Sequence, residues 1–452
     1  MLEILANNAL RHAEAIKLDA IEIFLQKKTL KKIEISNCVI KNITQQEKSG
    51  YAIRAIQNNH LSFVSSNTSA KINEIVEFSA QNAKNSSLNV IGSFVNKKFI
   101  TPVNQIRDNQ IVDLSLEEIV NYISEILSSI EESKPVKNLD GIVLIETEDR
   151  LIANSEGLWK RELGTRMKAD ILTTIKINDF IGIGSSHLAS RIIKNNWQEL
   201  FNNSIKTAYN QKDRKKLSIG KPKGVIFSPE AFGQILAFTF IPSLFYFPGN
   251  DYSHFKNINL NDNLIMLDDP TFPGAQNTFS FDDEGYPTKP RLVFSGGKFK
   301  RLLGMNFSCA SNEKREQYLG NCYRVANLNL ENRYYSYPPT VSSSNFIIRA
   351  KKEINNLNEY LNNGIYIKEI TGVQDANYYS GDFVISLLEG YEIKKGEIVN
   401  PIFPCFCSGN VYKILQDPLL LINKNEKEVT IPFTPINVLL PEILTSKIAI
   451  SL

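Results

Sequence analysis

A polar, charged run over residues 210–220 divides this sequence into two parts of different character. Pro222 and Gly224 follow it, and such a cluster of charged, proline and glycine residues is typical of a connection between domains. The chain has 452 residues, more than one ordinary hydrophobic core supports. We therefore predict an α+β protein of two domains, one over residues 1–210 and the other over residues 221–452.

Helical and strand patterns alternate in the first part. Apolar residues at helical spacing predict helices at 2–16, 72–83, 115–130 and 197–205. Alternation of apolar and polar residues predicts strands at 20–26, 32–36, 51–56, 61–64, 142–147, 169–177 and 180–186. Asn58 and Asn59 tolerate the positive φ that a tight hairpin turn needs. We expect these strands to form an antiparallel meander accompanied by helices.

The second part is rich in strand patterns and poor in helices. Strand-like runs at 345–349, 364–370, 382–388 and 419–422 alternate with glycine, proline and asparagine turns. Helical patterns are confined to 229–240, 350–361 and 411–416. We expect a β-rich domain with mostly antiparallel pairing.

The segment 224–285 is the element around which we expect the second part to be organised. A short apolar strand at 225–227 leads into a helix, for which Ser228 suits the N-cap and Pro229 the first position. Two acidic turns follow, Leu-Asp-Asp-Pro at 267–270 and Asp-Asp-Glu-Gly at 282–285. This arrangement of a strand, a capped helix and acidic turns is where we would expect a hydrolase to have its catalytic helix beside the substrate.

The spacing of histidines and cysteines does not build a zinc site. No two of the four histidines lie within one helical turn, which excludes an H-E-x-x-H helix, and His254 is the one histidine in the central segment. The five cysteines form no C-x-x-C pair, and we interpret Cys405 and Cys407 as buried thiols. The acidic turns could hold a hard cation, although Asp and Gly are also ordinary turn formers.

Charge and hydropathy argue against a nucleic-acid-binding protein and against a membrane protein. The 51 basic and 48 acidic residues nearly cancel, so there is no broad positive surface for nucleic acid. No run approaches the roughly 18 apolar residues of a membrane span, and the first residues lack the layout of a signal peptide. The cysteines form no disulfide framework, so we predict a cytoplasmic protein with neither membrane nor nucleic acid as partner.

Short motifs follow one another in a specific order along the chain. In the first part they are Ser-Gly-Tyr-Ala-Ile-Arg at 49–54 and Asn-Ser-Glu-Gly at 154–157. In the second part they are the helix start at 229–234, the acidic turns at 267–270 and 281–287, and the segments 320–324, 371–372, 379–383, 396–398 and 408–410. Together they resemble the TldD/PmbA family, also called modulators of DNA gyrase, over nearly the whole chain.

The resemblance also implies the loss of a metal site. Catalytic members of the family carry a zinc helix of the form H-E-x-x-x-H and a distal cysteine ligand. Here Pro229 and Gln234 stand at the histidine positions, and Glu230 stands at the position of the general base. Proline has no ligand atom, a neutral amide is a poor zinc donor, and Cys405 and Cys407 do not match the distal cysteine in register. The sequence is therefore similar to the TldE (PmbA) type, which lacks the zinc ligands.

For a member of this type, the resemblance implies a partner. The expected partner is a zinc-bearing TldD-like subunit, with which the chain forms a heterodimeric protease that degrades unfolded peptides and trims peptide precursors; a homodimer is left open. Zinc is then expected in the partner and no cofactor in this chain. Substrate is expected as an extended strand in an enclosed chamber. The predicted residues of the substrate cleft are His254, Asp282, Asp283, Glu284, Ser380, Gly381, Asp382, Gly409 and Asn410.

Two alternatives belong to other functional classes. One is an independent peptide hydrolase, acting as a homodimer, that uses Glu230, His254 and the acidic turns in a new arrangement. The other is a regulatory or binding protein without a protease role, as the gyrase label suggests. The near-neutral net charge argues against direct contact with DNA in the second case.

Overall fold

Six long strands form one antiparallel sheet in the N-terminal part. The computed structural model describes residues 1–90, 92–96, 99–131, 136–194, 196–219, 222–307, 318–325, 333–431 and 434–451. The strands are β1 (Ala20–Ser36), β2 (Val39–Gln57), β3 (His60–Ser66), β4 (Val136–Asn154), β5 (Trp159–Ile177) and β6 (Phe180–Ser190). Their order is β3-β2-β1-β4-β5-β6. Asn58 and Asn59 have φ values of 53° and 62° at the β2–β3 turn, which confirms the predicted hairpin.

Helices cover one face of this sheet. They are α1 (Leu2–Ala15), α2 (Ile72–Asn85), α3 (Asn109–Asp113), α4 (Leu116–Glu131) and α5 (Trp197–Asn210). The predicted capping box of α4 is confirmed: the Glu118 N–H donates to Ser115 Oγ, and the Ser115 N–H donates to Glu118 Oε2. Odd-numbered residues of β1, such as Ile21 and Ile23, lie in the apolar core beneath the helices.

The opposite face of the sheet is charged and yet buried. Because side chains alternate along a strand, the even-numbered residues of β1 point away from the helices. Glu22, Gln26 and Lys28 lie on this face, and each is at most 3% exposed. The C-terminal part covers them, with Gln26 hydrogen-bonded to the backbone of Arg333 and Tyr335. This face is therefore the junction between the two parts of the chain.

In the described residues of the C-terminal part, two large sheets enclose the helix α6 (Pro229–Phe238). The other helices are α7 (Phe240–Ser243), α8 (Ser253–Asn257) and α9 (Val411–Leu415). The strands are β7 (Val225–Phe227), β8 (Leu264–Asp268), β9 (Arg291–Ser295), β10 (Lys298–Phe299), β11 (Cys322–Tyr323), β12 (Thr340–Val341), β13 (Asn345–Ala350), β14 (Asn363–Thr371), β15 (Asp382–Lys394), β16 (Glu397–Pro401), β17 (Phe406–Asn410), β18 (Leu421–Ile422), β19 (Lys427–Thr430), β20 (Asn437–Leu440), β21 (Ile443–Thr445) and β22 (Ile448–Ser451).

The pairing in these sheets is mostly antiparallel. One sheet has the order β10-β9-β8-β13-β20-β19, and the other has the order β18-β21-β7-β14-β15-β17-β22, with β16 on β15 and a separate β11–β12 pair. The β13–β20 and β14–β7 pairs are parallel. Phe232, Ile235 and Leu236 of α6 are fully buried in the core that these sheets share. The α+β class and the two-domain architecture are as predicted.

One predicted helix is wrong. The segment 350–361 holds the end of β13 and a single 3-10 turn, Leu357–Tyr360. Asparagines at 355, 356 and 358 explain the difference, because asparagine side chains compete with the helical backbone hydrogen bonds. In the part of the chain that the structure describes, no helix is long and apolar enough to cross a membrane.

Candidate functional site

The start of α6 is fixed by the contacts that its sequence predicts. Ser228 Oγ accepts a hydrogen bond from the Ala231 N–H at 3.1 Å and donates one to the Lys368 carbonyl at 2.7 Å. Pro229 is buried at the first helical position, where a missing N–H costs nothing. This confirms the predicted cap and attaches the helix to β14.

The residues of α6 do not provide a zinc site. Pro229 has no side-chain donor, and Gln234 is half-buried and offers only a neutral amide. Glu230 forms an ion pair with Lys427, so its carboxylate faces an ammonium group. Over the described residues, no group of three or more His, Cys, Asp or Glu side chains is arranged to hold a metal ion. The zinc that the resemblance implies for catalytic members therefore does not fit the residues that α6 carries in this chain.

The thiols of the C-x-C segment face the core. Cys405 is 4% exposed and Cys407 is fully buried, as predicted. A hydrogen bond that Cys407 donates to Cys405, together with burial, raises the pKa of Cys407, which disfavours the thiolate that a metal requires. Cys322 is a buried thiol, Cys38 is half-buried, and Cys309 lies outside the described residues.

The second acidic turn lies at the junction between the two parts. Asp283 is fully buried and accepts hydrogen bonds from Arg150 Nη1 and Arg333 Nη2, both at 2.7 Å. Its second oxygen accepts from the Arg324 N–H at 2.7 Å. Arg150 also donates to Glu162 at 2.6 Å. The Asp283 carboxylate is therefore fully engaged by cations and an N–H group of the protein itself.

Asp282 and Glu284 are engaged in the same junction. The N–H groups of Glu284 and Tyr286 donate to one oxygen of Asp282, and the Cys322 N–H donates to the other at 3.2 Å. Burial and the nearby Glu284 charge raise the pKa of Asp282 to about 7. Glu284 pairs with Arg54 at 3.1 Å, and burial raises its pKa as well. These predicted cleft residues therefore lie inside the domain junction.

The first acidic turn is also saturated by protein donors. Asp268 is fully buried and accepts hydrogen bonds from Asn321 Nδ2 at 2.6 Å, Ser343 Oγ at 2.7 Å and the Ser344 N–H at 2.7 Å. Asp269 accepts from the Thr271 N–H in an ordinary Asx turn. Both turns hold the fold together, and the buried carboxylates of Asp268, Asp282, Asp283 and Glu284 have both oxygens bound by protein donors.

A surface groove of about 990 Å³ lies over strands β15, β17 and β22. Its floor is a row of cross-strand neighbours, with Val384 opposite Ser408 and Ser408 opposite Ala449. Val384 and Phe406 are each 61% exposed in it. Two carboxylates and two ammonium groups line its sides, those of Asp375, Asp382, Lys413 and Lys447. The groove thus combines an apolar floor with balanced charges.

Five predicted cleft residues lie together at one end of this groove. Asp382 is the cross-strand partner of Asn410, whose Nδ2 donates to Asp382 Oδ1 and to the Ser380 carbonyl at 2.8 Å. This bond lowers the pKa of Asp382, so the carboxylate is ionised. Gly381 has φ 78°, and a Cβ there would lie 2.6 Å from the Tyr412 ring, so glycine is required. Asp382, Gly409 and Asn410 line the groove directly.

His254 belongs to a neighbouring aromatic cluster. It is exposed on α8, with its ring 4.1 Å from that of Phe255 and 6.2 Å from that of Tyr412, measured between centroids. Desolvation lowers its pKa, which favours the neutral imidazole. Tyr412 contacts Gly381 at the groove end, but His254 itself is not a groove residue.

Consecutive apolar residues in two neighbouring strands are a sequence feature from which this groove could have been predicted. Phe383, Val384 and Ile385 are consecutive apolar residues in a strand, whose side chains point to opposite faces. Phe383 and Ile385 lie in the core, whereas Val384 points outward. Residues 405–407 repeat the pattern around Phe406. Apolar residues on both faces of neighbouring strands indicate a surface that something covers.

Comparison with known proteins matches both parts of the chain. Residues 221–452 match the family model described as the PmbA/TldA metallopeptidase C-terminal domain, and residues 21–83 match the model of domain 1. Among solved structures, TldE from Thermococcus kodakarensis is similar with a TM-score of 0.80 and 18% identity, over 99% of this chain and 100% of that one. A putative modulator of a DNA gyrase from Thermotoga maritima gives 0.79 and 17%, over the same shares of the two chains.

Similarity to curated sequences is partial. A metalloprotease TldD homolog of Buchnera aphidicola is 25% identical over 158 residues, which cover 33% of this chain and 29% of that protein. The chain spans less than half the length of the curated relatives that it matches. The structural neighbours, at under one-fifth identity, establish the fold alone.

Proposed function

Because the chain belongs to the PmbA/TldD metallopeptidase family, we propose that it is the non-catalytic, TldE-like subunit of a TldD/TldE-type metalloprotease. The complex would degrade unfolded peptides and process peptide precursors in the cytoplasm. One observation carries the proposal: α6 begins with Pro229 and holds Gln234, which by the resemblance stand where the family's catalytic members have zinc-binding histidines. The likeness to a solved TldE supports it.

The role of Glu230 follows from its surroundings. A general base in a metalloprotease must contact a metal-bound water. Glu230 instead pairs with Lys427, and as an acidic residue in the first turn it is favoured by the helix dipole. We therefore assign to Glu230 a structural role, and to the partner subunit both the zinc and the general base.

The groove supports a role in holding substrate. Strand β22 pairs with β17 on one side and lies at the end of the described sheet, so its other edge presents backbone groups. An extended peptide can pair with such an edge, and its side chains would then lie on the β22 side of the groove, nearest to Ala449. Main-chain pairing selects for unfolded segments with little dependence on sequence. This surface would form part of the chamber wall.

The alternative of an independent hydrolase receives less support. It needs the carboxylates of the acidic turns beside Glu230 and His254. The turn carboxylates are bound by Arg54, Arg150 and Arg333 inside the domain junction. The carboxylates of Asp283 and Glu284 are therefore not accessible to a substrate as catalytic groups.

Reconstitution tests the proposal. Purified chain is mixed with its zinc-bearing paralogue, and cleavage of an unfolded peptide is compared with that by the paralogue alone. We expect an increase of about tenfold or more, because a positioned substrate raises the effective concentration at the metal. The matched control replaces the paralogue by a variant without its catalytic glutamate, which must abolish cleavage. Equal rates with and without this chain would contradict the proposal.

A further inference from the structure

Several buried arginines in and near the domain junction are paired in one of two ways. Some bind carboxylates, as Arg54 does with Glu22 and Arg150 with Glu162. Arg291 instead donates to three backbone carbonyls, those of Leu319, Lys289 and Pro287. Either arrangement offsets the cost of removing a guanidinium group from water.

Arg191, at the end of β6, follows neither arrangement. It is 1% exposed, and its guanidinium stacks on the Phe279 ring, 4.3 Å from the centroid. Nη1 makes a long hydrogen bond of 3.4 Å to the Thr165 carbonyl. Nε and Nη2 are fully buried, and neither has a hydrogen-bond partner among the residues that the structure describes.

The unpaired edge has a specific chemistry. Nε–H and Nη2–H point in the same direction and form the side of the guanidinium that binds an anion with two parallel hydrogen bonds. Leaving two such donors buried and unpaired costs more than the loss of an ordinary hydrogen bond. Burial, and next the neighbouring charge of Arg166, lower the pKa of Arg191 to about 9. Both causes disfavour the charged guanidinium, so an anion beside it would offset part of the cost of its burial.

The charges nearest to Arg191 do not balance. The largest charge effects on it come from the cations Arg166 and Arg333 and from the anions Glu148 and Glu162, so with Arg191 itself three cations face two anions. All five side chains are at most 9% exposed. An uncompensated unit charge is costly in such surroundings, so one further negative charge is required.

We propose that the Nε/Nη2 edge of Arg191 binds a small monovalent anion, of the size of chloride, inside the domain junction. The edge has no exposure to solvent, so a peptide carboxylate or a nucleotide phosphate does not reach it. A single charge balances the cluster, whereas a divalent anion would overcompensate it.

The position of the ion explains what it would do. The Arg191 N–H donates to the Gly274 carbonyl at 2.9 Å, and Ser190 Oγ donates to the same carbonyl. Arg191 therefore lies where the last strand of the N-terminal sheet contacts the C-terminal part. A bound anion would link the two parts and stabilise the folded chain through mass action. This inference does not depend on the proposed function.

Bromide is the probe that tests the proposal. Thermal unfolding of the full chain is measured while bromide replaces gluconate, which is too large for a buried site, at constant ionic strength. We expect the Tm of the wild type to rise with bromide and this rise to be lost in Arg191→Lys, which keeps the charge but lacks the two-donor edge. The control is Arg161→Lys, at an arginine that is 44% exposed, which must keep the rise.

A crystal structure in bromide gives the second readout. The proposal predicts an anomalous peak within hydrogen-bond distance of Arg191 Nε and Nη2 in the wild type, and this test stands even if the Arg191→Lys variant does not fold. A water molecule at that edge, or an equal bromide effect in all three proteins, would overturn the proposal.

Discussion

At the scale of single residues, Pro229, Glu230 and Gln234 decide what this chain can do at the start of α6. Their identities were readable from the sequence, and the structure adds the ion pair between Glu230 and Lys427. That pair could not be predicted, because Lys427 lies 197 positions away on a separate strand. The N-cap by Ser228 could be predicted, because it depends on three neighbouring residues.

Glu230→Gln should leave the activity of the reconstituted protease nearly unchanged. In our account Glu230 binds Lys427 and touches no reacting atom, whereas loss of a true general base costs about 10²–10⁴ in rate. Steady-state peptide hydrolysis measures this, with the corresponding glutamate of the partner as the positive control. A comparable loss from Glu230→Gln would place a catalytic group in this chain.

Arg150→Met should destabilise the fold by about 3–5 kcal/mol, because it leaves the buried Glu162 and Asp283 without their shared cation. Arg161→Met is the matched control, since Arg161 also pairs with carboxylates but is 44% exposed, and it should cost about 1 kcal/mol or less. Urea unfolding measures both values. Similar losses would show that the junction does not behave as a buried ion cluster.

Asp282 should give the stability a pH dependence. Its pKa is about 7 in the folded chain, against about 3.9 when unfolded, so the folded state holds the proton more tightly. This contribution is fully present below about pH 4 and is lost as the pH rises toward 7. Relative to the wild type, Asp282→Asn should therefore gain stability over this interval. A constant difference between the two unfolding curves at pH 4 to 7 would contradict this.

At the scale of elements, local signals predicted the hairpin at Asn58 and Asn59, the capping box of α4 and the start of α6. Each rests on turn or cap chemistry within a few residues. The long strands were predicted in pieces: 20–26 and 32–36 are both parts of β1. Lys27, Lys28, Lys31 and Lys32 interrupt the apolar pattern between them. The strand continues because β2 and β4 pair with it on both sides, which a single segment does not reveal.

The outward face of β15 and β17 should bind peptide. Phe406→Ala should weaken the affinity for an unfolded peptide by roughly 10- to 150-fold, because a covered aromatic side chain contributes roughly 1.5–3 kcal/mol. Its exposure of 61% means that folding stability should change little. Leu419→Ala, at a residue that is 66% exposed and does not line the groove, is the control. Equal affinities for both variants would exclude this groove as the binding surface.

At the scale of the whole molecule, the least predictable feature is the charged junction. From the sequence, Glu22, Arg54 and Arg150 resemble residues of a solvated sheet face. They are buried because residues 281–284, together with Arg324 and Tyr335, cover them from the C-terminal part. Gly50 marks this contact, since a Cβ there would lie 2.2 Å from the ring of Tyr335. Contacts between residues more than 100 positions apart, such as Arg150 and Asp283, leave no periodic pattern in the sequence. The burial of the acidic turns could therefore not be predicted, and their residues were interpreted as part of a substrate cleft.

Zinc content tests most directly the claim that this chain is the subunit without zinc. The complex of this chain with its zinc-bearing paralogue is purified, and the metal is quantified per complex and located by anomalous diffraction. We predict one zinc per complex of the two chains, bound by the paralogue and lost when the paralogue's zinc histidines are replaced. Zinc bound to side chains of α6 in this chain, retained after that replacement, would contradict it.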